Sequence, residues 1–153
     1  MTKYKKAIIG LGNEYLGDDA VGIKIIDELV QYDFKDTLVT KVIDDSLKLI
    51  EIFQAKDLVI IIDAVKDKVQ IPGYIYKLES EEVFYTKTKI PSFSSHTLDL
   101  IKVLELAKTL DSLPKQIIIY GIVGENFKKG DSMSEVVADA MGVVVNEIIK
   151  FFN

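Results

Sequence analysis

The chain of 153 residues has no cysteine, and this removes disulfides, thiolate metal sites and a cysteine nucleophile at once. Chemistry has to come from oxygen ligands, hydroxyls or the single histidine, His96. No apolar run reaches the length of a membrane span, and Met1 to Lys6 run into the first strand without a signal-peptide core, so a cytoplasmic protein is expected. The formal charge is -5 and no basic cluster is present, which argues against nucleic acid as the main partner. There is no repeat, linker or low-complexity segment. Ser92, Ser94 and Ser95 lack a G-x-S-x-G elbow, so none of them reads as a nucleophile.

What the chain does have is enough apolar content, 48%, to bury the core of one domain spanning residues 1–153. Its focal stretch runs from Gly10 to Gly22. The apolar Ala7-Ile8-Ile9 precedes it and an amphipathic run from Val21 to Val30 follows, giving a strand, a glycine-rich turn and a helix. Asp18 and Asp19 fall at the helix start, where a phosphate would otherwise dock. Tyr15 stands where the third glycine of a dinucleotide fingerprint belongs, and no Gly-Lys-Ser/Thr makes a P-loop. A cation suits this turn better than an anion. The plainer reading is that both aspartates complement the helix dipole.

Further along, Leu38 to Ile43 alternates as a strand, and Leu47 to Phe53 has helical spacing behind a Ser46 cap. The β-branched run Leu58 to Ile62 predicts a strand covered on both faces and ends on Asp63. Pro72-Gly73 is a turn, Tyr74 to Leu78 a shorter strand near an edge, and Glu79 to Lys89 a polar connection. Pro91 to His96 reads as a loop before a helix from Thr97 to Leu110, whose apolar stripe is Leu100, Val103, Leu104 and Ala107. Ile117 to Gly121 is a strand, and Ser132-Met133-Ser134-Glu135 fits a capping box for a helix reaching Phe152. This alternation predicts a single α/β domain, an open, mostly parallel twisted sheet with helices on both faces.

In such sheets binding groups gather beyond the carboxyl ends of the strands. That rule selects Asp18 and Asp19, Asp63, and His96. Two carboxylates and an imidazole suit a divalent transition metal with positions left open. A helix N-terminus also disfavours the charged imidazolium, so His96 is expected to be available as a neutral ligand. Each residue has a duller role too: Asp63 bonding loop amides, His96 capping a helix. Their convergence favours the metal.

These residues resemble the hydrogenase maturation endopeptidases, which trim the C-terminal extension from the large subunit of nickel-iron hydrogenases. The resemblance lies in Gly10, Gly12, Asn13, Asp18, Asp19 and Gly22, in Asp63-Ala64, in Ser95, His96 and Leu100, and in Gly121-Ile122 followed by Gly130 to Ser134. It implies an endopeptidase, grouped as aspartyl-type, acting on a large-subunit precursor. It also implies nickel carried by that precursor and contacted by Asp19, Asp63 and His96, with no stably bound cofactor. The Gly10, Gly12, Asn13, Asp18 and Gly22 loop would support the site. Replacing Asp18 is expected to impair cleavage less than replacing Asp19, and the protein is expected to be a monomer. A phosphoacceptor receiver-like module and a nucleotide-binding α/β domain are the competing readings.

Overall fold

Each predicted strand and helix exists, and their order fixes where a site can form. The computed structural model describes residues 3–80, 82–84 and 100–153. The five strands are β1 (Lys6–Leu11), β2 (Thr37–Val42), β3 (Leu58–Val65), β4 (Ile75–Glu79) and β5 (Gln116–Val123). The helices are α1 (Val21–Leu29), α2 (Ser46–Phe53), α3 (Leu100–Thr109) and α4 (Glu135–Phe152). Sheet order is β2-β1-β3-β5-β4, with every pairing parallel except β4 against β5. The predicted Pro91 to His96 loop, residues 97–99 of the predicted third helix, and most of the Glu79 to Lys89 connection lie outside the described residues.

The β-branched run explains the centre. All eight residues of β3 are buried, as expected of a strand with helices above and below. On one face Ile8, Ile60, Ile118 and Ile122 pack with Val21, Ile25 and Leu29 of α1 and with Val137, Val144 and Ile148 of α4. On the other face Ile9, Ile61 and Ile119 pack with Leu49 and Phe53 of α2 and Leu104 and Ala107 of α3. Glu147 of α4 accepts hydrogen bonds from Tyr120 (3.0 Å) and Lys77 (2.8 Å), tying that helix to β5 and β4.

Three local expectations are corrected. The cap of α2 is Asp45, whose carboxylate accepts from the Lys48 amide at 3.0 Å, and Ser46 is the first helical residue. Asp63 is not at the tip of β3, because the strand continues through Ala64 and Val65 in register with Ile122 and Val123. The capping box does not form: Ser134 is the N-cap of α4 and makes no side-chain cap bond, its hydroxyl being directed to Asp18 instead.

Between β1 and β3 the connections leave in opposite directions, to β2 and back, which opens a crevice at the carboxyl ends of the two strands. Helix α1 seals the floor of that crevice by close approach at glycine. A Cβ on Gly22 would collide with the Leu11 carbonyl and lie 2.6 Å from the Ile62 carbonyl oxygen. Gly22→Ala is therefore expected to push α1 off β1 and β3 and cost about 1–3 kcal/mol. Denaturant unfolding checks this: the midpoint should fall at unchanged m-value.

Candidate active site

The acidic pair forms a single 3-10 turn, Gly17–Ala20, ahead of α1 rather than within its first turn. The turn packs against β3. Its main chain is closed on itself, with the Asn13 amide bonded to the Asp19 carbonyl (3.2 Å) and the Asp19 amide to the Leu16 carbonyl (3.0 Å). Gly12 makes the closure possible. Its φ of 134° lies in the region open to glycine, and a Cβ there would fall on the Asp19 carbonyl oxygen. The Asn13 side chain accepts from the Tyr15 amide at 2.9 Å, which shapes the start of the loop.

Neither aspartate is a solvated dipole partner. Asp18 is fully buried and Asp19 is 3% exposed. The Asp18 carboxylate accepts four hydrogen bonds from a segment more than a hundred residues away. One oxygen takes the Glu125 amide (2.7 Å), the Asn126 amide (3.0 Å) and the Ser134 hydroxyl (2.9 Å), and the other takes the Ser134 amide at 2.6 Å. The Asp18 amide in turn donates to the Asn126 carbonyl at 2.7 Å. Asp18 thus pins the loop between β5 and α4 onto the acidic turn. Sequence reasoning missed this role, since nothing near Asp18 in the chain signals partners so distant.

Asp63 is fully buried. By strand alternation it shares the α2/α3 face with Ile61 and Val65, and its register partner on β5 is Gly121, which puts no side chain beside it. One carboxylate oxygen accepts the following Ala64 amide at 2.8 Å. Asp19 and Asp63 thus both belong to the carboxyl end of the sheet, on elements that touch. His96 lies outside the described residues, and among the described residues no group of three or more metal-ligating side chains is gathered. No helix among the described residues is long and apolar enough to cross a membrane.

A buried carboxylate on the middle strand of a mixed α/β sheet, beside an acidic turn that is locked shut by glycine, makes an acidic crevice rather than a phosphate cradle. The comparisons give the class its family. The model of the hydrogenase maturation protease (HycI) family matches residues 23–151, and the chain belongs to that family. The hydrogenase 2 maturation protease of Escherichia coli K12 is 30% identical over 125 residues, covering 79% of this chain and 74% of its own length. Among solved structures, the hydrogenase maturating endopeptidase HybD from E. coli superposes with a TM-score of 0.83 at 24% identity, covering 95% of this chain and 90% of that one. The [NiFe] hydrogenase maturation protease HybD from Thermococcus kodakarensis does so with a TM-score of 0.80 at 25% identity, covering 97% and 99%. The function is endopeptidase processing of the C-terminus of a hydrogenase large subunit, and the receiver-like and nucleotide-binding readings fall with this finding.

Proposed function

We propose that the chain recognises nickel already held by the large-subunit precursor, completing its coordination with Asp19, Asp63 and His96, and cuts only the nickel-loaded form. The observation that carries this reading is the packing of the Asp19-bearing turn against β3, whose buried Asp63 lies two residues from the strand's end. Two carboxylates in so dry a setting carry an electrostatic cost that an incoming divalent cation would relieve. His96 stands four residues before the first residue of α3, and supplies the one imidazole in the chain. An oxygen and nitrogen ligand set without thiolate adds to a thiolate-held ion without competing for its cysteines. The protein works as a monomer in the cytoplasm with no resident metal.

The test uses the same precursor in two forms. Incubated with the protein, the nickel-loaded precursor should lose the mass of its C-terminal extension while the nickel-free precursor stays intact. Equal cleavage of both would show that the metal is not the recognition signal.

A further inference from the structure

Two loops continue directly from β3, which carries Asp63, and from its neighbour β5, and between them lies a solvent-open pocket of about 520 Å³. We propose that this pocket is a specificity subsite seating an apolar side chain of the precursor next to the scissile bond. The inference rests on the endopeptidase reading above and adds to it where the substrate chain is held.

Both walls are built. The first carries Lys66, Asp67, Lys68 and Val69. Asp67 folds it: one carboxylate oxygen accepts the Val69 amide at 2.8 Å and the other accepts the Tyr76 hydroxyl from β4. The Tyr76 hydroxyl first, then the Val69 amide, hold the Asp67 carboxyl below its usual range, so the wall stays pinned at neutral pH. The second wall carries Gly124 and Phe127 and is the segment anchored by Asp18. The two meet at their base, where the Gly124 amide donates to the Val65 carbonyl at 3.0 Å. A Cβ on Gly124 would lie 2.5 Å from the Phe127 ring, so the glycine is what lets the ring seat.

The lining selects the occupant. Phe127 and Val69 offer apolar surface, and the Lys66 ammonium stands over the Phe127 ring with its Nζ 5.1 Å from the centroid. Val69 is 85% exposed and Ile71, on the same loop, 74%. These are two of the most exposed large apolar side chains among the described residues, on a loop held in place rather than loose. Lys66 and Lys68 are balanced by Asp67 and Glu125, so the lining favours neither sign of charge and its apolar groups set the choice. The volume suits one large side chain with its flanking backbone. Continuity with the crevice decides the partner, because the pocket's two walls begin at Lys66 and Gly124, just beyond Asp63 and its register partner Gly121.

The test is Val69→Asp, assayed with nickel-loaded precursor, together with Val143→Asp on the outer face of α4 as a control. Both sites are exposed, and circular dichroism should show both variants folded. Val69→Asp should raise KM tenfold or more, while Val143→Asp leaves kcat/KM within twofold of the parent. A second arm changes each precursor residue flanking the scissile bond to Asp in turn. At one position the loss with the parent enzyme should equal, and not add to, the loss from Val69→Asp. An unchanged KM for Val69→Asp, or additive losses at every position, overturns the subsite while the endopeptidase reading stands. Failure of the parent enzyme to cut the precursor at all overturns that reading, and the subsite with it.

Discussion

Asp18→Asn should cost more stability than replacement of Asp19 or Asp63, about 3–4 kcal/mol, because it dismantles a hub with no solvent to replace it. The carboxylate accepts four hydrogen bonds, three from main-chain amides, and is fully buried. Asparagine keeps one acceptor oxygen but turns an NH2 group toward donors, leaving buried N–H groups facing each other unsatisfied. With the oxygen kept at the position that takes three donors, the NH2 group faces the Ser134 amide, which loses its partner at the start of α4. Gly17 packs on the Asn126 carbonyl and Gly124 on the Asp18 Cβ, so the main chain around the hub is closely fitted. Urea unfolding measures the loss. A change below 1 kcal/mol would mean that the β5–α4 loop is held by something other than Asp18.

The second large effect falls on activity. Asp19→Asn and Asp63→Asn preserve shape while removing the charge that a cation would meet, and His96→Ala removes the imidazole. The amide at Asp63 can still accept from the Ala64 amide. Each carboxylate variant should therefore remain folded, within about 1–3 kcal/mol of the parent. Loss of a direct metal contact should lower processing by at least the 10–100-fold that follows removal of a ligand's outer partner. The contrast with Asp18 is diagnostic, since the Asp19 and Asp63 variants should melt near the parent while processing collapses. Parallel losses of stability and processing in the Asp19 and Asp63 variants would assign both carboxylates to the fold alone.

The frame of this molecule is written in local pattern. Ala7 to Ile9, Leu58 to Ile62 and Ile117 to Gly121 announce buried parallel strands because helices cover both faces, leaving no polar alternation to keep. The glycine turn and its acidic pair mark the site for a similar reason: only glycine lets the main chain close on Asp19 and α1 descend on β1. What the sequence hides is long-range. Asp18 looks like a helix-dipole residue because its partners, Glu125, Asn126 and Ser134, come from the far end of the chain. The capping box that Ser132 to Glu135 suggests does not form because α4 begins at Glu135 with Ser134 as its N-cap, two residues later than the box requires. Asp63 reads as a strand tip because Ala64 and Val65 look like loop until β5 pairs with them. The pocket between the β3–β4 and β5–α4 loops leaves no periodic trace, being made from two connections that meet only in the fold.

The most direct measurement of the central claim is the rate at which purified His96→Ala cuts nickel-loaded large-subunit precursor, with folding checked by its unfolding midpoint. A protein that completes the coordination of substrate nickel through Asp19, Asp63 and His96 should stay folded and cut at least 10–100-fold more slowly once the imidazole is gone. A folded His96→Ala variant that cleaves at the parent rate would contradict it.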